Sequence, residues 1–165
     1  PFDGSHANII TVSLCTLAGY CREHGLKQVD FLKVDAEGHD LDVLRGFPWD
    51  LIQPRFVICE FEDLKQEKCE SGFRAMAEFL RAHGYSVLVS EWDPVLSYHG
   101  PFNWRRFFVY PGDLPDPAGN GNILAVRTKR DFSRLRLRAA MKSATYRLSM
   151  TLRAGYQYLR KLISR

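Results

Sequence analysis

Two carboxylates, Asp35 and Glu37, lie two residues apart in a short loop. Residues 29–34 before this loop are apolar and β-prone, and residues 40–45 after it have helical spacing. Loops at the carboxyl ends of strands in an open α/β sheet are where ligands bind. A carboxylate there can act as a general base, orient a hydroxyl group or hold a divalent metal ion. We therefore expect a reaction centre at this loop, with Asp35 as the ligand if a metal is present.

Four further residues are candidates for the same site. Lys33 lies two positions before Asp35, so both side chains project from the same face of the strand. Glu60 ends the next predicted strand and is expected to face the same crevice. His39 follows the acids closely and is a candidate for substrate binding and proton transfer, and Trp92 is a candidate for the wall of the substrate pocket.

Each candidate also has a purely structural interpretation. Glu37 can favour the first turn of the following helix through the helix dipole. Lys33 needs a partner in an apolar strand, and an ion pair with Asp35 or Glu60 would supply one. His39 can be a solvated surface histidine, and an aromatic residue such as Trp92 is often part of the core.

The elements that position these residues alternate between strands and helices. Near-continuous apolar character predicts that residues 29–34 form a strand buried on both faces, as in parallel sheets. The alternation predicts an α/β fold with a parallel sheet and right-handed crossovers. The predicted strands are 29–34, 56–61 and 85–89, and the predicted helices run from about 37 to 45 and from 72 to 83.

The flanking segments have weaker patterns. Residues 9–14 alternate between apolar and polar side chains, which predicts a strand, and Thr16 is the expected N-cap of a helix that ends at Gly25. Residues 104–110 and 123–126 are separated by a loop rich in proline and glycine. They are expected to form an antiparallel hairpin at the edge of the sheet.

The charge of the chain is divided unevenly. Residues 1–126 carry 11 Lys/Arg and 18 Asp/Glu, a net charge of −7, whereas residues 127–165 carry twelve Lys/Arg and one Asp, a net charge of +11. Residues 131–163 contain no proline and are expected to form a basic amphipathic helix. Such a helix suggests peripheral contact with an anionic membrane through residues 131–165, or with an acidic partner, although it can also pack on its own sheet. Nucleic-acid binding is disfavoured because no stacking aromatic platform is interleaved with the charges.

Composition excludes several classes of protein. The four cysteines, Cys15, Cys21, Cys59 and Cys69, form no C-x-x-C pair, which argues against a disulfide scaffold or a structural zinc site. No apolar run approaches the roughly 20 residues of a membrane span. A cytoplasmic protein, peripheral at the membrane if the basic tail binds lipid, is the expectation.

The segment from Val29 to Gly46, VDFLKVDAEGHDLDVLRG, resembles the signature of the FkbM family of S-adenosylmethionine-dependent methyltransferases. Thr16-Leu17 resembles the T-L-D element of that family, with Ala18 in place of its Asp, and residues 56–61 resemble its strand that ends in an acid. The resemblance covers about residues 9–127. It implies a Rossmann-like class I methyltransferase fold and methyl transfer to a hydroxyl of a carbohydrate, glycolipid or secondary metabolite.

By the same resemblance, Lys33, Asp35 and Glu37 match the central catalytic motif and Glu60 matches the later acid. The glycine-rich loop that holds the cofactor has no counterpart before Lys33, so the cofactor-binding residues are expected upstream of Pro1. We therefore expect residues 1–127 to be the C-terminal part of a methyltransferase domain, and residues 128–165 to be a basic helical extension.

Two alternatives from other classes stay open. The first is a non-catalytic α/β interaction module, in which the basic tail binds an anionic membrane surface or a partner. The second is a metal-dependent hydrolase that uses Asp35 and Glu37, although no further ligands lie at local spacing.

Overall fold

The computed structural model describes residues 10–62, 72–94, 103–114 and 118–163, with side chains described as far as residue 150. The chain forms a mixed α/β fold around one five-stranded sheet, which confirms the predicted α/β class. In order, the elements are α1 (Leu17–Glu23), β1 (Phe31–Val34), α2 (Asp40–Arg45), β2 (Phe56–Glu62), α3 (Phe73–Ala82), β3 (Ser86–Trp92), β4 (Trp104–Val109), β5 (Asn120–Val126) and α4 (Lys129–Ile163).

The strands lie in the order β1-β2-β5-β3-β4. β1 and β2 are parallel, whereas β5 runs antiparallel to both of its neighbours, β2 and β3. β1, β2 and β3 run in the same direction, as predicted, but β2 and β3 are not neighbours, so the expectation that these strands form a continuous parallel sheet was wrong. The predicted edge hairpin was also wrong, because β4 pairs with β3 and β5 lies in the middle of the sheet.

Gly121 explains why the last strand fits at the centre. A Cβ atom at this position would lie 2.1 Å from the carbonyl oxygen of Ser90 in β3 and 3.0 Å from the ring of Phe61 in β2. Only a glycine therefore lets β5 pass between its two neighbours at this point. Such a long-range constraint cannot be recognised from the spacing of apolar residues.

The main core lies on the face of the sheet that α2 and α3 cover. Alternate residues of β2, β3 and β5 point to this face and are fully buried. The helices contribute Leu41 and Leu44 from α2 and Met76 and Leu80 from α3, and the strands contribute Val57, Cys59, Phe61, Val87, Val89, Ile123 and Ala125. The opposite face of β3 and β4 is covered in part by α4.

β1 is an edge strand of the sheet in the described part of the chain. Phe31 is 53% exposed, and Lys33 is exposed as well, so the prediction that this strand is buried on both faces was wrong. Only Val34 of β1 is fully buried. Within the described residues, β1 therefore has one packed face and one neighbouring strand, β2.

The helix after Thr16 forms as predicted. The Thr16 hydroxyl accepts a hydrogen bond from the Gly19 amide at 3.1 Å, which makes it the N-cap of α1, and Gly25 follows the helix with a φ of 62°. The strand predicted just before it is absent from residues 10–14, whose side chains are exposed, and residue 9 lies outside the described part. Without a neighbouring strand to pair with, alternation alone does not form a strand.

α4 is one continuous helix of 35 residues, which confirms the predicted helix. Asp131 joins it to the body of the protein. The Asp131 carboxylate accepts two hydrogen bonds from the Arg55 guanidinium, at 2.8 and 2.7 Å, and a third from the Thr128 hydroxyl at 2.8 Å. The Arg55 guanidinium holds the pKa of Asp131 far below its usual range. The first turn of α4 is therefore held firmly against β2.

Three of the four cysteines lie in the described part of the chain. Cys15, Cys21 and Cys59 are free thiols, and Cys69 lies outside the described residues. Burial raises the pKa of Cys59, so this thiol stays protonated and is a poor nucleophile. Among the described residues, no helix has the length and apolarity that would let it cross a bilayer.

Replacing Gly121 with alanine should lower the free energy of unfolding by about 2 kcal/mol or more, because backbone atoms of β3 cannot move away from the new Cβ. Urea unfolding measures this change. Gly46→Ala is the control, since its nearest neighbours would lie at 3.5 Å, and it should change stability by less than about 1 kcal/mol. Equal effects of the two substitutions would contradict the packing described for β5.

Candidate active site

The loop between β1 and α2 has an unusual backbone. Glu37 has a φ of 49° and Gly38 a φ of 102°, so two consecutive residues lie in the left-handed region. A non-glycine residue in this region costs about 1 kcal/mol or more, and such strain is often found at functional sites. α2 therefore begins only at Asp40, and the prediction of a helix from about residue 37 was wrong.

Lys33 and Asp35 form a close ion pair at the end of β1. The Lys33 ammonium donates a hydrogen bond to the Asp35 carboxylate at 2.7 Å. This hydrogen bond lowers the pKa of Asp35 and raises the pKa of Lys33. Asp35 therefore stays ionised well below neutral pH. The predicted partner of Lys33 is confirmed, although the pair is solvent-exposed rather than buried.

Glu60 lies beside this pair at the end of β2. Partial burial of its carboxyl group, followed by the negative charge of Asp35, raises the pKa of Glu60 to about 7. The interaction between the two carboxyl groups lowers the pKa of Asp35 and raises the pKa of Glu60. Neighbouring acids thus have pKa values that are shifted in opposite directions, an arrangement typical of acid–base sites.

Asp40 holds the two strand ends together, although it was not among the candidate residues. One carboxylate oxygen accepts from the Ala36 amide at 3.1 Å, and the other accepts from the Glu60 amide, also at 3.1 Å. The side chain is almost completely buried. Asp40 therefore fixes the loop after β1 against the end of β2, and so places Asp35 next to Glu60.

The remaining candidates are less closely associated with this centre. His39 precedes α2 as its N-cap residue, and its exposed ring lies 3.4 Å from the Asp42 carboxylate. Trp92 ends β3 at the same edge of the sheet as Glu60, but β5 separates their strands. At about 4.8 Å between neighbouring strands, this places the two strands roughly 10 Å apart. Their roles in substrate binding stay predictions.

No group of three or more His, Cys, Asp or Glu side chains within the described ranges is arranged to hold a metal ion. The suggestion that Asp35 binds a divalent ion thus finds no support. The Asp35 carboxylate instead accepts from Lys33 and interacts with Glu60.

Sequence reasoning missed Asp40 and also Glu91. Glu91 is fully buried near the end of β3, where its carboxylate accepts from Arg106 at 2.6 Å and faces Arg105 at 3.4 Å. The prediction ended this strand at residue 89, so Glu91 was assigned to irregular chain. For Asp40 a signal was present, because it is an acid that lies within the segment resembling the family signature and begins the helix right after the loop.

A family model described as the methyltransferase FkbM domain matches residues 2–87, which include the loop, β1, β2 and the acids at their ends. This chain belongs to the FkbM methyltransferase family. The match covers just over half of the chain and ends within β3, so β4, β5 and α4 lie beyond it.

Two of three curated relatives that the chain resembles are named methyltransferases. The chain is similar to the AMB antimetabolite synthetase AmbE of Pseudomonas aeruginosa, with 28% identity over 72% of this chain and 6% of that protein. It is similar to the 2-O-methyltransferase NoeI of Sinorhizobium fredii, with 30% identity over 48% of this chain and 31% of NoeI. Methyltransferase 1 of Beauveria bassiana is 39% identical over 42% of this chain and 27% of that protein. The chain thus spans a third or less of each relative, and no solved structure gave a significant match.

Replacing Asp40 with alanine should lower the free energy of unfolding by about 2 kcal/mol or more, because two partly buried amides would lose their acceptor. Asp42→Ala on the same helix is the control, since Asp42 is exposed and makes only long ion pairs, and it should cost less than about 0.5 kcal/mol. Thermal unfolding of both variants measures the difference. Equal stability of the two would contradict the role given to Asp40.

Replacing Glu60 with glutamine should change stability in a pH-dependent manner. In the wild type, the pKa of Glu60 is raised from its ordinary value to about 7, so the folded state binds the extra proton and loses stability as the pH rises through this range. Glutamine stays neutral. The melting temperature of Glu60→Gln relative to wild type should therefore be higher at pH 8 than at pH 5, and a pH-independent difference would contradict the shifted pKa.

Proposed function

We propose that this protein takes part in S-adenosylmethionine-dependent methyl transfer to a hydroxyl group of a carbohydrate, glycolipid or secondary metabolite. Family membership supports methyl transfer in general. The observation that supports an oxygen acceptor is the Asp35–Glu60 pair, in which one acid stays ionised while the other titrates near neutral pH. A hydroxyl group must lose its proton during methylation, and a carboxylate with a pKa near 7 is well matched to that task.

In this proposal Glu60 is the base. Above pH 7 its carboxylate would accept the proton of the acceptor hydroxyl, whose oxygen would take the methyl group that S-adenosylmethionine supplies, with S-adenosylhomocysteine as the leaving group. Asp35 keeps the pKa of Glu60 high through its negative charge, and Lys33 keeps Asp35 ionised through their hydrogen bond. Glu37 adds to the negative potential that raises the pKa of Glu60. A general base works best when its pKa lies near the working pH, because it is then both ionised and strong enough to accept the proton.

Asp40 is a positioning residue in this scheme. It holds the backbone of residues 36 and 60, so that the acids on two separate strands keep their distance and orientation. Much of the rate enhancement in a displacement reaction comes from such fixed geometry. The name of one relative, the 2-O-methyltransferase NoeI, also supports an oxygen acceptor.

The described residues fit one end of the implied cofactor. S-adenosylmethionine supplies a methyl group from a positively charged sulfonium centre. Asp35, Asp40 and Glu60 together form a negative region that favours a cation, and a Cβ atom on Gly38 would meet nothing within 4 Å, which leaves open space beside the loop. A Rossmann-like arrangement with the glycine-rich cofactor loop upstream of Pro1 is part of this proposal, and so is the assignment of residues 1–127 to the C-terminal part of that domain.

Glu60→Gln should lower the turnover number by about 10²–10⁴-fold and remove the rise of activity with pH through 7, because the proposed base is lost. Asp35→Asn should lower turnover far more than cofactor affinity, and should move the midpoint of the pH profile downward, because the charge that raises the pKa of Glu60 is removed. Transfer of labelled methyl groups to sugar and secondary-metabolite hydroxyls by the full-length protein measures these changes.

The control is Glu23→Gln, an exposed acid at the end of α1. It should leave turnover and the pH profile unchanged. Unchanged turnover in Glu60→Gln would contradict the role of the base. Label recovered on nitrogen or carbon rather than oxygen would contradict the acceptor class.

A further inference from the structure

α4 presents apolar residues on two opposite faces, whereas a simple amphipathic helix has one apolar face. Its inner face packs against the sheet, where Ala139 is buried and the Tyr146 ring contacts the ring of Trp104 at 5.0 Å. Phe132 and Leu135 on this face are partly buried. α4 therefore packs on its own sheet, but through only one of its two apolar faces.

The second apolar face points away from the protein, and we name it the outer stripe: Leu137, Met141, Ala144 and Leu148. Their spacing of four, three and four residues places them on one line along the helix. Leu137 and Leu148 are each 63% exposed and Met141 is 55% exposed. In the sequence the same spacing continues at Leu152, Gly155, Leu159 and Leu162, along the helical backbone as far as Ile163.

Basic side chains border the outer stripe on both sides. At 100° per residue, Arg136 and Arg147 lie to one side of Leu137, and Arg138 and Lys142 lie to the other. All seven Lys/Arg residues between 129 and 150 are exposed, and Asp131, the one acid in this segment, is already bound to Arg55. The outer stripe is therefore an apolar line within a strongly positive surface.

A groove of about 480 Å³ opens beside the outer stripe, between α4 and β4. Leu137 and Ala140 line it from the helix, and Phe107 and Val109 line it from the strand. Leu137 belongs to both the groove and the outer stripe, so the two form one continuous apolar surface. This surface is wider than the narrow line of contacts that a single partner helix would cover.

We propose that the outer stripe of α4 binds the surface of an anionic lipid bilayer. Exposed leucine and methionine side chains can enter the boundary between headgroups and acyl chains, while arginine and lysine extend their charged ends to the lipid phosphates. A second copy of this chain is a poor occupant, since basic residues would face basic residues along both borders. RNA is a poor occupant as well, because the outer stripe carries aliphatic side chains rather than the aromatic ones that stack on bases.

Co-sedimentation of the 165-residue chain with vesicles tests the proposal. Binding to equimolar phosphatidylglycerol and phosphatidylcholine should exceed binding to phosphatidylcholine alone by at least about tenfold, because the surface is strongly basic. The double variant Leu137→Glu/Leu148→Glu should lower the partition coefficient for anionic vesicles by at least about tenfold, since it removes apolar burial and adds negative charge.

The control is Leu14→Glu/Leu51→Glu, which replaces two other exposed leucines, 93% and 84% exposed, with the same change of charge. It should bind anionic vesicles within about twofold of wild type. Circular dichroism and thermal unfolding should be alike in wild type and both variants, because all four leucines are exposed.

Several outcomes would overturn the proposal. Equal loss of binding in the two double variants would mean that net charge, not the outer stripe, determines binding. Equal binding of wild type to neutral and anionic vesicles would contradict the role of the basic borders. Binding to polyglutamate without binding to either vesicle would assign the surface to an acidic protein partner instead.

Discussion

The buried carboxylate of Asp40 is the interaction on which the site depends. It accepts hydrogen bonds from the backbone amides of residues 36 and 60, and so connects the loop after β1 to the end of β2. Partial burial, followed by the negative charges of Asp35, Glu37 and Asp40, raises the pKa of Glu60, so the arrangement of these acids needs a structural cause besides their own interactions. Two hydrogen bonds to backbone amides supply it, because a partly buried amide that lost its acceptor would be costly.

A second constraint acts across the sheet. β5 enters between β2 and β3 because Gly121 leaves no side chain between the Ser90 carbonyl and the Phe61 ring. Because β1, β2 and β3 run in the same direction, their carboxyl ends share one edge of the sheet, where Glu60 and Trp92 both lie. β5 separates β3 from the strands that carry the acids. The buried Glu91 pairs with Arg105 and Arg106, and these contacts stabilise the part of this edge formed by β3 and β4 rather than adding to the reaction centre.

Local features of the chain were predictable, and long-range ones were not. The Thr16 cap, the strand–loop–helix unit around Asp35 and the long helix α4 follow from residue types at short spacing. The central position of β5 depends on the close approach to Ser90 and Phe61, which come from other parts of the sequence. The exposure of Phe31 likewise depends on which strand becomes the edge. For the site, the residues of the family pattern were found, but the raised pKa of Glu60 arises from its partial burial and from charges on other elements, which depend on the tertiary structure.

The register of the strands relates the two proposals to each other. Lys33 in β1 pairs with Ile58 in β2, and Ile58, Leu124 and Leu88 lie in one row across the sheet. Side chains in one row share a face, and Glu60 lies two residues after Ile58, on the same face. Lys33 and Glu60 therefore project from the face that carries α4. Leu88 lines the groove beside α4 on this face. A bilayer bound by the outer stripe would therefore lie on the same side of the sheet as the acids. If the outer stripe binds a bilayer and Glu60 is the base, an acceptor with a lipid anchor would approach Glu60 from that side.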